Sequence, residues 1–271
     1  MVSSSVVLSF VIAAIATLVA PVAILVALGL KKQVNGLPLA LGAAAFFVSQ
    51  ILLRIPLLGL LTGQAWYQEA SVRFFLPVLF VVCLSAGLFE ESARLAGATF
   101  LKENRSFKDI LSFGLGHGFC EVVLLIGATH CNNILFSLVA NNPGGALADM
   151  MWGALTPDML DAVALQLAAV EPMQVYLGIL ERFSAVMLHL FATFLVFQGV
   201  VKQKRLLYYT LAVLVHTAFN FVAVVAAHYA GLVVSEVLLL AMALAVGYCL
   251  MREKQKKLPA AGSAPMGSEP L

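Results

Sequence analysis

The sequence predicts an all-α fold, a polytopic membrane helix bundle of about seven transmembrane helices, with the N-terminus outside and the C-terminus cytoplasmic. Three observations lead there. Hydrophobic residues make up 62% of the 271 and charged residues 11%, with a mean hydropathy of +0.98, whereas soluble domains carry ~25% charged residues. Seven apolar stretches are long enough to cross a hydrocarbon core of ~30 Å. Twelve of the sixteen Lys and Arg fall in alternate connections between those stretches.

In order, the expected spans are residues 6–30, 37–53, 74–101, 110–129, 175–201, 206–227 and 232–251. The first has no basic residue ahead of it and is longer than the apolar part of a signal peptide, so a retained span is expected. Lys31 and Lys32, then Lys102, Arg105 and Lys108, then Lys202, Lys204 and Arg205, and finally Arg252, Lys254, Lys256 and Lys257 mark one side of the membrane. The positive-inside rule makes that side cytoplasmic. The opposite connections hold only Arg54 and Arg73, and Arg94 and Arg182 lie inside spans.

Residues 1–257 are thus read as the bundle, with the motif-bearing core at 74–220 and an external loop at 131–174. That loop carries Asp149, Asp158, Asp161 and Glu171 with no Lys or Arg. Within it Asn141-Asn142-Pro143-Gly144-Gly145 reads as a turn, and Thr156-Pro157-Asp158 as the start of an amphipathic helix over 157–169. The Pro-, Gly-, Ser- and Ala-rich tail, 258–271, has nothing to bury and is expected to be disordered and cytoplasmic. Cys83, Cys120, Cys131 and Cys249 show no CxxC spacing, so neither a disulfide frame nor a thiolate metal site is indicated.

The polar residues inside the spans carry the functional signal. Ionised groups in hydrocarbon cost at least ~2.5–3.5 kcal/mol each, yet Gly87-Leu88-Phe89-Glu90-Glu91-Ser92-Ala93-Arg94 places two carboxylates and a guanidinium in one apolar span. At 1.5 Å per residue from the cytoplasmic ends, Glu90 and Glu91 sit about 15 Å deep, His117 about 10 Å, Glu121 about 16 Å, His189 about 18 Å, His216 about 15 Å and Asn220 about 21 Å. Four helices therefore bring ionisable or amide groups to one level. Glu90 and Arg94, His117 and Glu121, and His216 and Asn220 are i,i+4 pairs, and Arg182 and His189 are seven apart, so each helix offers a single polar stripe. Gly114 and Gly118 form a GxxxG pair that lets a neighbouring helix approach His117.

Blander readings compete at the edges. Glu181 and Arg182, near the outer end of their span, suit a structural ion pair. His130 and His228 lie at boundaries, and Trp66 and Tyr67 read as interfacial anchors.

Glu90-Glu91-x-x-Arg94, Phe113-x-x-x-His117 and His216-x-x-x-Asn220 resemble the three motifs of the glutamate-dependent intramembrane proteases, the CAAX prenyl protease and bacteriocin-processing (CPBP, or Abi) family and the PrsW family. Gly116-His117-Gly118-x-x-Glu121, and Glu181-Arg182 followed by His189, are similar more specifically to the YhfC intramembrane metalloproteases. The prenyl-protease pattern has three residues between its second Glu and its Arg, where this chain has only Ser92 and Ala93. That rotates Arg94 by about 100° and leaves its partner open.

The resemblance implies peptide-bond hydrolysis of a membrane protein or a lipidated peptide in a multi-pass cell-membrane protein, the bacterial plasma membrane being the expected location. A glutamate of the Glu90–Glu91 pair would activate water, His117 would orient it, and His216 with Asn220 would polarise the carbonyl. Arg94, Glu121, Glu181, Arg182 and His189 would support them. Either no cofactor or zinc is compatible with the residues: three imidazoles and a carboxylate, His117, His189, His216 and Glu121, make one tetrahedral set. Membrane lipids are expected partners and nucleic acid is not. Two other classes remain open, a proton-coupled transporter and a non-catalytic scaffold of the same clan. A cavity opening to the cytoplasmic half favours the protease, whereas a transporter requires a route to either face.

Overall fold

The structure, a computed structural model, describes residues 1–101, 106–151 and 156–256. The tail 258–271 lies outside the described residues, as do Lys102 and Arg105. Seven helices are long and apolar enough to cross a membrane: Ser4–Leu30, Gly36–Thr62, Phe75–Phe100, Phe107–Asn141, Pro172–Val201, Arg205–Ala230 and Leu232–Lys254. No strand occurs among the described residues. The chain is a multi-pass membrane helix bundle.

Two spans run well past their expected ends, and the extension of the second span bears on the site. The second runs through Arg54 to Thr62, so Arg54 is inside the membrane helix and not in a connection. The fourth runs to Asn141, so the first part of the expected external loop, 131–141, is helical. Beyond it a short helix, Ala146–Met151, was not expected, whereas the turn and the second helix start as the sequence suggests. Gly145 N–H closes a turn on the Asn142 carbonyl at 3.1 Å. The Thr156 hydroxyl accepts from the Met159 N–H, starting the helix Pro157–Ala168. Leu167 of that helix packs with Val2, Val6, Phe10 and Val175, strapping it across the end of the first and fifth spans.

Three spans contain π-helical turns, Ile15–Val19, Phe47–Arg54 and Val122–Gly127. Such insertions disturb the i,i+4 ladder and are frequent at functional sites. The one in the second span carries Gln50 and Arg54.

The fifth span is the axle of the bundle, with 67% of its apolar window buried, against 28% or less for each of the others. It packs on the first, third, fourth, sixth and seventh spans. Glycine permits the closest approaches. Gly114 and Gly118 face the fifth span at Leu190 and His189, as the GxxxG spacing suggests. On the opposite face of the same helix, a Cβ at Gly116 would lie 2.0 Å from the Leu39 carbonyl oxygen, and one at Gly42 would lie 2.0 Å from that of Phe113. The second and fourth spans therefore meet backbone to backbone, which brings Gln50 and His117 close to the third span. Between the sixth and seventh spans a single residue, Gly231, turns the chain at φ 89°, a conformation that a side chain would strain.

Candidate active site

Glu90 is the hub. It lies on the third span, 5% exposed, and receives side chains from four other helices. Gln50 Nε2 donates to Oε1 at 2.9 Å, and His117 Nε2 lies 2.9 Å from Oε2. Arg94, one turn along, reaches Oε2 at 3.4 Å. His189 Nδ1 stands 3.7 Å from Oε2, and His216 Nε2 stands 3.7 Å from Oε1. The three imidazoles form an arc, with ring centroids 5.1 Å apart for His117 and His189 and 5.7 Å apart for His189 and His216.

Consecutive helical residues point about 100° apart, so Glu91 faces a different neighbour. It accepts from Arg94 and from His216 Nδ1 at 2.8 Å. The partners of Arg94 are therefore both carboxylates and, at 2.6 Å, His189 Nδ1. A guanidinium only donates, so His189 Nδ1 accepts and its Nε2–H points to Glu121 Oε2, 2.6 Å away. Likewise His216 donates from Nδ1 to Glu91, and its Nε2 faces Glu90 Oε1. Each of these two histidines is thus oriented by a carboxylate behind it. Arg182 completes the rim, 3.0 Å from Glu121 and paired with Glu181.

The structure places the candidate site residues as follows. Glu90, Glu91, Arg94, His117, His189 and His216 form one buried network, and Glu121, Arg182 and Glu181 extend it towards the surface. Asn220 makes no hydrogen bond to protein among the described residues. It instead lines a cavity of 290 Å³ together with Gln50, Arg54, Glu90, Glu121 and Glu181.

The lining of that cavity comes from Leu79 to Glu90 on the third span and from Asn220 to Val224 on the sixth. These segments are in the half of the bundle away from Lys31, Lys108 and Lys202. The expected opening on the basic side is not where this cavity lies. The third span explains it: its turns on the basic side of Glu90 place Arg94 and Ala98 in the packed interior, where Ala98 belongs to one hydrophobic cluster with Phe113, Phe197 and Val200.

The donor set fits a metal ion in type, with a different membership from the one expected. Glu90, His117 and His189 each offer a ligand atom, all within 4.8 Å of one another. Glu121 sits behind His189 instead of beside it, and His216 approaches from the other oxygen of Glu90. A carboxylate with two imidazoles suits zinc, and carboxylates behind ligating histidines are the usual outer shell of such sites. Arg94 is the competing cation. Its guanidinium already occupies His189 Nδ1, so an ion bound through that atom would have to displace it.

Sequence reasoning missed Gln50, Arg54 and Glu236. Arg54 donates to Gln50 Oε1 at 3.1 Å, to Ser85 Oγ at 3.0 Å and to the Val82 carbonyl at 2.9 Å, and so aims the Gln50 amide at Glu90. The i,i+4 spacing of Gln50 and Arg54 was the available signal. Glu236 is a carboxyl in the seventh span, 2% exposed, with Oε2 unpartnered.

With the motifs converging on one carboxylate, the comparison with known proteins is specific. The family model described as YhfC intramembrane metalloprotease matches residues 16–244. The chain belongs to this family. The match spans all of the network described above. Among curated proteins, the uncharacterized membrane protein YhfC of Bacillus subtilis (strain 168) is 32% identical over 143 residues, 52% of this chain and 54% of that protein. The chain thus spans about half the length of the curated relative it matches. No solved structure matches it.

Proposed function

We propose that the chain is an intramembrane endopeptidase that hydrolyses a peptide bond in a membrane-embedded or membrane-associated substrate, with Glu90 as the base. One observation carries this reading: Glu90 lines a cavity together with Gln50, Arg54, Glu121 and Asn220 and is the common partner of Gln50, Arg94, His117, His189 and His216. Hydrolysis needs an activated water, a donor for the carbonyl oxygen and a proton for the leaving amine. Glu90 takes a proton from a water on its cavity side as that oxygen bonds to the scissile carbon. It returns the proton to the amine nitrogen as the C–N bond breaks. His117 and Arg94 hold the carboxylate from the buried side, and Gln50 holds it from the cavity wall. Asn220, with its amide free of protein partners, donates to the carbonyl oxygen beside His216, which Glu91 orients.

A zinc ion held by Glu90, His117 and His189 would supply Lewis acidity and acidify a bound water. Glu90 would then be a ligand and Arg94 would give up His189 Nδ1, while Gln50, Glu91 and Asn220 would keep their roles. The cavity lies on the side away from the lysines, so with the lysine end cytoplasmic the substrate enters from the outer half of the membrane. In a cysteine-free background, an impermeant thiol reagent added outside should label Gly144→Cys and spare Lys202→Cys. The reverse pattern would place substrate entry on the cytoplasmic side.

The decisive experiment is a cleavage assay on candidate membrane substrates with Glu90→Gln and Glu91→Gln, alongside elemental analysis of the purified protein. Gln preserves shape but cannot act as a base, so Glu90→Gln should lose 10²-fold or more in rate when assayed below its own melting temperature, which loss of the buried charge is expected to lower. Full activity of both variants on a verified substrate would refute the proposal. Unchanged partner binding with no cleavage by the parent would indicate a scaffold, and substrate movement between the two faces a transporter.

A further inference from the structure

We infer that the chain carries a site for an anionic glycerophospholipid, separate from the Glu90 centre, in the cleft where Lys32, Lys108 and Lys254 converge. The cleft has a volume of 610 Å³, and its remaining lining includes Leu28, Phe107, Leu111 and Leu115. The three lysines come from distant parts of the sequence: the first connection, the start of the fourth span and the end of the seventh. None of them forms an ion pair or a side-chain hydrogen bond among the described residues. The carboxylate next in sequence to Lys108, that of Asp109, feels the lysine's charge but takes its hydrogen bonds from other groups. It accepts from the Ser106 N–H at 2.9 Å, from the Ser106 hydroxyl at 2.5 Å and from Asn35 Nδ2 at 2.5 Å.

Lys32 is held at the cleft by an unusual backbone. The first span ends with Lys32 N–H on the Gly29 carbonyl at 2.9 Å and Gln33 N–H on the Leu28 carbonyl at 2.8 Å. Lys32 itself sits at φ 53°, the left-handed position at a helix end that Gly usually fills. A Gly would stop the helix without strain, and a Lys there adds a cation aimed into the cleft's rim.

What separates a lipid from a free anion is the groove below. Leu115 borders both the lysine cleft and a second, 340 Å³ apolar groove between the first, fourth and fifth spans, lined by Ala16, Pro21, Ile24, Phe119 and Met187 among others. From Leu28 to Ala16 is twelve residues, about 18 Å of helix at 1.5 Å each. One leaflet of a ~30 Å hydrocarbon core is ~15 Å deep. The phosphate diester therefore sits among the lysines while one acyl chain lies along the groove, as basic clefts between spans bind acidic headgroups. At its deep end the groove reaches Arg182, the partner of Glu121 at the edge of the network.

The test is native mass spectrometry of the full chain in detergent with added phosphatidylglycerol or phosphatidylcholine of identical acyl chains. The parent should retain phosphatidylglycerol preferentially. Lys32→Ala/Lys108→Ala/Lys254→Ala should lose that preference by about 10²-fold, roughly fivefold for each lysine near a lipid surface. Lys202→Ala/Lys204→Ala/Arg205→Ala, which removes equal charge from another connection at the same end, should keep it. Leu115→Trp, which fills the groove and spares the charges, should weaken phosphatidylglycerol while leaving inorganic phosphate unaffected. Equal losses in the two triple variants would reduce the effect to net charge and overturn the site. Displacement of the lipid by inorganic phosphate at comparable concentration would make it a phosphate site and overturn the lipid assignment. Melting curves of each variant separate these results from misfolding, and none depends on peptidase activity.

Discussion

Glu90 and Glu236 are both carboxyl groups buried in apolar spans, and they are treated in opposite ways. Glu90 is met by Gln50, His117, His189 and His216 from four other helices and by Arg94 from its own. Glu236 has an unpartnered buried oxygen and no hydrogen bond or ion pair among the described residues; the nearest charges that act on it are those of Glu181 and Arg182. Burial alone therefore does not mark a site in a membrane protein. What distinguishes Glu90 is that five helices are held in register by groups that each need it.

That difference is sharpest for Arg94, which is wholly buried between Glu90 and Glu91. Arg94→Ala leaves two adjacent carboxylates and His189 Nδ1 without their cation. Removing one partner of a buried pair typically costs ~3–5 kcal/mol, and denaturant unfolding in mixed micelles should register a loss of that size. A loss under about 1 kcal/mol would mean that the carboxylates do not rely on Arg94, and the contrast with Glu236 would collapse.

A smaller effect is expected one layer out. Gln50→Leu strips the Nε2–H from Glu90 Oε1 and the Oε1 acceptor from Arg54 NH1, at 2.9 Å and 3.1 Å. Arg54 keeps Ser85 and the Val82 carbonyl, so the cost should be about 1–3 kcal/mol, the usual range for stranding buried polar groups. Gln50→Glu would sharpen the point by setting a second carboxylate against Glu90, and it should be the less stable of the two in the same unfolding measurement.

The parts of this network that were legible in the sequence share a physical cause. Glu90, Glu91, Arg94, His117, His189 and His216 are polar residues deep in apolar stretches, where hydrocarbon makes each one costly, and helical spacing predicts their common faces. Arg54 was misread because an arginine after seventeen apolar-rich residues looks like the end of a span. Its guanidinium is instead satisfied inside the bundle by Gln50, Ser85 and a carbonyl, over a π-helical stretch whose backbone leaves no mark in composition. The central place of the fifth span was hidden for a similar reason, since its hydropathy of 1.9 equals that of the second span. Only packing distinguishes a helix surrounded by protein from one surrounded by lipid. The side on which the cavity lies was likewise illegible, because it depends on which turns of the third span are covered by Phe113 and Phe197.

The smallest expected effect is at Glu236. Glu236→Gln replaces a carboxyl group lacking partners with an amide of nearly the same shape, so no network is broken. The Ser235 hydroxyl, which bonds the Ala223 carbonyl at 2.9 Å and ties the seventh span to the sixth, is untouched. Relief of an unpaired group and loss of its weak interaction with Arg182 act in opposite directions, and stability should change by under about 1 kcal/mol, as for substitutions that break no named interaction. A destabilisation comparable to that of Arg94→Ala would show that Glu236 has a strong partner in the folded protein. The two carboxyl groups would then belong to one class, and the distinction that singles out Glu90 would have to rest on the cavity alone.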